Sequence, residues 1–178
     1  MLEGTRIRLV APRKEFIPTF TKWMNDREVL QYLLMYKPLT LETEEQWFDQ
    51  MITHENSLLF SILTLPSPEN ENETLIGNVS IDIDHRNGVG SLGIIIGEKK
   101  YWGQGYGTEA LRLLIAYAFD TLNLQRIEIE VFSSNPRALV CYKKVGFTEE
   151  GRKRRRYYVR GQYIDTIQLG LLKEEFRP

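Results

Sequence analysis

Residues 94–110 read Ile94-Ile95-Ile96-Gly97-Glu98-Lys99-Lys100-Tyr101-Trp102-Gly103-Gln104-Gly105-Tyr106-Gly107-Thr108-Glu109-Ala110. A β-branched run passes through a charged turn into three closely spaced glycines, and a long helical pattern starts directly after them. Glycine has no Cβ, so the chain can turn tightly, approach a bulky anion and aim the N–H groups of the helix start at it. The helix end adds roughly half a positive charge. Such a turn suits a pyrophosphate, although plain tight turns use the same glycines. Two nucleotide-binding patterns do not fit. A P-loop needs Lys and then Ser or Thr after its last glycine, whereas Gly107 is followed by Thr108-Glu109. A dinucleotide fingerprint needs G-x-G-x-x-G in a parallel βαβ unit, and Gly103, Gly105 and Gly107 have another spacing after a run of antiparallel pattern.

Working outward, Leu58 to Leu65, Thr74 to Ile83 and Val89 to Ile96 are rich in β-branched residues and are separated by Pro66-Ser67-Pro68 and Arg86-Asn87-Gly88. They read as an antiparallel meander, with Pro66 to Asn72 as a hairpin loop. Before them, Arg6 to Val10 alternates as a half-buried strand, and Glu15 to Tyr36 carries apolar residues at helical spacing with a break at Asn25-Asp26, which predicts two short helices. Thr43 with Gln46 fits a capping box for a third helix that shows Trp47, Phe48 and Met51 on one stripe. After the glycines, Ala110, Leu111, Leu114, Ile115, Ala118 and Phe119 form one face of a helix ending near Thr121. A strand from Ile127 to Phe132 follows, then a helix opened by Asn135-Pro136 and closed by Gly146, then two strands around Arg160-Gly161. The order predicts an α+β fold, a mixed and mostly antiparallel central sheet of about seven strands flanked by helices.

The bulk composition agrees with one domain over residues 1–178. Hydrophobic residues make up 42% and charged residues 26%, with a net charge of −1, so no global field recruits nucleic acid or an acidic membrane. The single cysteine, Cys141, excludes an intrachain disulfide, and no stretch has the length of a membrane span. A cytoplasmic protein is expected, without membrane attachment and without a metal.

Trp102 to Ala110 after a strand, followed by Asn135-Pro136-Arg137-Ala138-Leu139-Val140-Cys141-Tyr142-Lys143-Lys144-Val145-Gly146-Phe147, resembles the GCN5-related N-acetyltransferase (GNAT) superfamily. With Glu149-Glu150-Gly151 and Gly161-Gln162-Tyr163-Ile164-Asp165, the likeness is to the branch of ribosomal-protein alanine and spermidine N-acetyltransferases, and it covers nearly the whole chain. It implies transfer of an acetyl group from acetyl-coenzyme A to a primary amine by direct attack in a ternary complex. Ile94, Ile95 and Ile96 would then offer backbone groups to the pantetheine arm, with an oxyanion contact from an N–H near Ile95. Trp102, Gly103, Gln104, Gly105, Tyr106, Gly107 and Thr108 would wrap the pyrophosphate. Trp102 stands where the family commonly has Arg or Gln, and it can instead pack against cofactor or substrate. Asn135 would bond the cofactor while capping its helix.

An amine attacking a thioester must lose a proton, and the leaving thiolate must gain one. The resemblance places a general-acid tyrosine at Tyr142, which also fits an ordinary aromatic on a core helix face. A phenol with a reference pKa near ~10 can donate to a thiolate whose own value is near ~8.5. Cys141 has no histidine nearby in sequence, and His54 and His85 lie in polar surface segments, which speaks against a nucleophilic thiol. Asp82, Asp84 and Glu98 are candidate bases with no clear preference among them. Tyr32, Tyr36, Glu42, Glu44, Glu45 and Trp47 are candidate lining for the acceptor. The basic run Arg152 to Arg156 reads as a solvated sheet edge, with cofactor phosphate or ribosomal RNA as functional alternatives. The acceptor amine, a small molecule such as a polyamine or a protein N-terminus, stays open, and nucleic acid is not the expected partner. A homodimer is an assembly common among resembling enzymes, and a non-catalytic acetyl-coenzyme A sensor is the competing function.

Overall fold

The computed structural model describes residues 1–68 and 70–177. Its eight strands are β1 (Leu2–Glu3), β2 (Ile7–Val10), β3 (Ser57–Thr64), β4 (Leu75–Asp84), β5 (Val89–Ile96), β6 (Arg126–Phe132), β7 (Thr148–Val159) and β8 (Gln162–Leu172). Four α-helices intervene: α1 (Ile17–Trp23), α2 (Leu41–Thr53), α3 (Tyr106–Asp120) and α4 (Pro136–Val145). One sheet runs in the order β1-β2-β3-β4-β5-β6-β8-β7, antiparallel throughout except between β5 and β6. The α+β class and the meander follow the sequence pattern. The additional strand is β1, too short for an alternation to show.

Helices α3 and α4 cover one face of the sheet. Leu111, Leu114, Ile115 and Phe119 of α3 are fully buried there against Ile7, Ile62, Ile81 and Ile127. The opposite face carries a smaller cluster, Ile17, Phe20, Trp23, Val29 and Phe48, with Ile95 and Trp102 packed against it. Side chains alternate across a strand, so Ile95 faces this side while Ile94 and Ile96 face α3.

Two local expectations are corrected. The second helix expected before Tyr36 is only a 3-10 turn, Val29–Tyr32, because the Asp26 carboxylate accepts the Glu28 N–H at 2.8 Å to start a tight turn and Leu33 is already extended. The capping box of α2 is Thr40 with Thr43, one turn earlier than Thr43 with Gln46: the Thr40 N–H donates to Thr43 Oγ1 at 3.0 Å, and the Thr43 N–H to Thr40 Oγ1 at 3.3 Å. The loop 66–72 joins β3 to β4 as a hairpin, apart from residue 69, which lies outside the described residues. Among the described residues no helix is long and apolar enough to cross a membrane, and no group of three or more His, Cys, Asp or Glu is placed to hold a metal ion.

Candidate active site

The parallel seam between β5 and β6 is short. Its register runs Val89↔Arg126, Gly90↔Ile127 and Ser91↔Glu128, and then the strands part. Beyond that point β5 stays paired to β4 up to Gly77↔Ile96, and β6 stays paired to β8 up to Phe132↔Thr166. Each half of the sheet keeps its own ladder, so the gap opens between them. It leads into a cavity of about 750 Å³ lined from both halves.

The hydrogen-bond frame of β5 decides which main-chain groups face the gap. The Gly97 N–H donates to Ile76 O at 2.9 Å, and Gly88 O accepts from the Gln125 N–H at 2.7 Å on the β6 side. Antiparallel pairing alternates, so Ile95 turns its N–H and C=O to Asn78 on β4, while Ile94 and Ile96 turn theirs to the gap. The main-chain donor expected near Ile95 therefore belongs to its neighbours. The Ile96 carbonyl is already engaged, because Trp102 Nε1 donates to it at 2.6 Å and packs the indole across that end of the gap.

The glycine turn lies at the cavity's other wall. Gly103 (φ 73°) and Gly105 (φ 87°) are left-handed, and Gly105 caps α3 without a side-chain hydrogen bond. The first helical bond at this end runs from the Glu109 N–H to Gly105 O at 3.1 Å, which leaves the N–H groups of residues 103–108 without an acceptor among the described residues. A Cβ built on Gly103 meets nothing within 4 Å, so the backbone is open to a close ligand. These features fit the pyrophosphate of acetyl-coenzyme A. The turn is braced from behind by Arg6, whose Nη1 donates to Gln104 O at 2.9 Å and whose guanidinium carbon lies 4.5 Å from the Tyr106 ring centroid. Glu109 accepts the N–H groups of Thr5 and Arg6, both at 2.8 Å, tying the β1–β2 turn to α3.

Of the residues expected to hold cofactor, Ile94, Ile95, Ile96, Trp102, Gly103, Gly105, Tyr106, Gly107, Thr108 and Asn135 line the cavity together. Gln104 does not; its amide turns back to the Lys100 carbonyl. Asn135 Oδ1 accepts the Ala138 N–H at 3.1 Å and so caps α4. Arg137 and Lys144 also line the cavity, and Arg137 lies 4.2 Å from the Trp102 ring centroid. Nothing local in the sequence separates either from an ordinary surface cation.

Tyr142 lines the cavity and is 7% exposed. Burial, with a smaller contribution from Cys141, pushes its phenol well above the usual range, and its hydroxyl has no hydrogen-bond partner among the described residues. The Cys141 thiol sits 3.2 Å from Thr108 Oγ1, and burial pushes it up as well, so it remains a neutral thiol rather than a nucleophile. His54 and His85 are exposed.

The three candidate bases lie elsewhere. Asp82 and Asp84 border a separate cleft with His54 and Glu128, and Glu98 accepts the Trp23 indole N–H at 3.1 Å. The one carboxylate among the cavity-lining residues is Glu130. It stands on β6 opposite in sense to Ile129 and Val131, whose side chains enter the α3 core, so it faces the α1–α2 side. Burial pushes its carboxyl up, but the nearby Thr166 hydroxyl and Gln168 amide, both buried and short of a well-formed hydrogen bond, together with the Lys153 and Arg156 charges hold it below the usual range. It was missed because an alternating strand gives a charged residue the appearance of a solvated face. Tyr142 is on the α4 side and Glu130 on the other, so a phenol and a carboxylate flank the gap. Val29, Tyr32, Leu33, Leu34 and Tyr157 also line the cavity. Of the acceptor lining expected from the sequence, only Tyr32 reaches the cavity; Glu44 is buried within α2, and Tyr36, Glu42, Glu45 and Trp47 lie outside it.

A gap of main-chain donors with an anion turn at one end accommodates a long acyl carrier, which makes the protein an acyl-group transferase in class. Residues 6–148 match the family model described as the acetyltransferase (GNAT) domain, and the chain belongs to that family; it is an acetyl-coenzyme A-dependent N-acetyltransferase. An uncharacterised N-acetyltransferase of Bacillus licheniformis is 30% identical over 176 residues, covering 96% of this chain and 95% of that one. The spermidine N(1)-acetyltransferase of Vibrio cholerae is 26% identical over 153 residues, 85% of this chain and 84% of its own. A solved structure of spermidine N-acetyltransferase from Vibrio cholerae, in complex with CoA and spermine, has a TM-score of 0.84 at 22% identity, covering 97% of this chain and 98% of that one. That likeness is one of fold.

Proposed function

We propose that residues 1–178 act as one domain that moves the acetyl group of acetyl-coenzyme A directly onto a primary amine held at the Val29–Leu34 and Tyr157 end of the cavity. The observation that carries this reading is the short β5–β6 seam, which opens into a cavity bordered by Glu130 from one face of the sheet and Tyr142 from the other. Acetyl-coenzyme A supplies the activated acyl group. The N–H groups of residues 103–108, with Arg137 and Lys144, hold its phosphates, and the N–H of Ile94 or Ile96 meets the charge that develops on the acyl oxygen. Glu130 takes the proton from the attacking nitrogen as the N–C bond forms. Tyr142 gives its proton to the sulfur as the C–S bond breaks.

The test is thiol release by the purified protein across a panel of peptide N-termini, polyamines and small amines, with coenzyme A binding followed by calorimetry. Acetylated product with one acceptor class supports the reading. Tight coenzyme A binding with no product across the panel favours a sensor instead.

A further inference from the structure

Strand β7 carries a wide irregularity where the basic run lies. Register passes from Lys153↔Thr166 to Tyr157↔Ile164, four steps along β7 against two along β8. The extra residues are held by one carboxylate. Asp165 Oδ1 accepts the Arg155 N–H at 2.8 Å, and its Oδ2 accepts Arg152 Nε at 2.7 Å. Arg155 sits at φ 51°, a conformation costly for a side-chain-bearing residue, so the fold spends stability to keep this bulge. Its effect is directional. Tyr157 lines the cavity, and in a regular strand Arg156 would point to the opposite face. The bulge instead lays the Arg156 guanidinium carbon 4.9 Å from the Tyr157 ring centroid, on the side of Glu130. Lys153 lies on that side too, 3.7 Å from Glu130. At the hairpin tip Arg160 donates to the Arg27 carbonyl, tying the β7–β8 hairpin to the segment that leads into Val29–Tyr32.

The acids that would balance these cations are occupied or distant. Asp26 and Glu28 hold Lys99, and the exposed glutamates of α2 do not line the cavity. Lys153 and Arg156 thus lie against Glu130 and Tyr157, two lining residues of a cavity whose one lining carboxylate is Glu130.

We infer that the acceptor is an amine followed by anionic groups, namely a polypeptide N-terminus with acidic residues at the next positions, and that Lys153 and Arg156 select it over polyamines. This rests on the acetyl-transfer reading above. Two cations beside one carboxylate disfavour a polycation, and the basic run extends along the strand over more length than a small amine occupies.

The experiment compares an alanine-initiated peptide followed by aspartates, the same peptide with lysines, a neutral peptide and spermidine. It uses wild-type enzyme and the Lys153→Gln/Arg156→Gln double variant, which leaves Arg152, Arg155 and Asp165 in place. Expected is a lower KM for the acidic peptide than for the neutral one, a gap that narrows as salt rises. The variant should raise KM for the acidic peptide by about fivefold more than for the neutral one. Fluorescence anisotropy of the labelled acidic peptide on coenzyme A-saturated enzyme should show the same loss. Preference for spermidine or the lysine peptide overturns the inference, as does a charge preference that survives in the variant. So does a variant that loses affinity for single-stranded RNA while its acceptor KM values stay put. A basic edge that only keeps neighbouring sheets apart predicts no change in either readout and also overturns it. If no amine is acetylated, the transfer reading fails by itself, and the anisotropy arm still decides the acidic-peptide claim.

Discussion

Tyr142 and Glu130 owe their opposite proton states to different surroundings. Burial leaves the phenol protonated across the working range, the state the proposed donor role requires. Tyr142→Phe removes only the hydroxyl from a ring that packs edge-on against Phe147 at 6.1 Å. Turnover should fall about a hundredfold, while calorimetry finds acetyl-coenzyme A affinity within about twofold of wild type. Glu130 is held below the usual carboxylate range and stays ionised at neutral pH. Glu130→Gln should lower kcat by a similar factor. Lys153→Gln removes a charge that favours the ionised form, so the Glu130 carboxyl rises and the acid limb of the kcat profile moves to higher pH; a limb that stays in place would detach Lys153 from Glu130.

At the scale of elements, two glycines do different work. Gly97, just after β5, is covered by the buried Trp23 indole, which occupies the space a Cβ would need. Trp23 is held in α1 and donates to Glu98, so it cannot step aside. Gly97→Ala should destabilise the fold by about 1–3 kcal/mol, read as a lower denaturation midpoint with an unchanged slope. Gly103 has open space around its Cβ position, so Gly103→Ala costs only the left-handed backbone, about 1 kcal/mol. Its methyl would intrude on the anion turn, and the calorimetric Kd for coenzyme A should rise several-fold more than that stability loss accounts for.

The whole molecule is two ladders joined by one short seam, with α3 packed across both, so a ligand lying in the gap adds contacts between the halves. Coenzyme A at a hundred times its Kd should add about 2.7 kcal/mol to stability, and a melting temperature that ignores it would argue against the gap as the binding site. Asp26, Asp84, Glu130, Glu150 and Asp165 all have carboxyls lowered in the folded state. Such groups stabilise above the unfolded carboxylate pKa of about 4 and lose that contribution as pH falls through their folded values. The melting temperature should therefore hold from neutral pH to about pH 5 and drop below about pH 4.

Local chemistry determined the glycine turn, the meander and the caps of the helix that carries Tyr142, because a left-handed glycine, a strand alternation or a helix stop is decided by a few neighbouring residues. Long-range pairing decided the rest. Which main-chain groups of Ile94 to Ile96 face the gap depends on the frame shared with β4, and that is set by Gly97 and Ile76 far apart in sequence. Glu130 became the candidate base, and Asp82, Asp84 and Glu98 did not, because only the parting of β6 from β5 puts a strand carboxylate on the cavity wall. Arg156 came to lie against Tyr157, a lining residue of the cavity, through a bulge held by Asp165, a partner on another strand. Sequence patterns report which face a residue takes on its own element; only tertiary structure reports what that face meets.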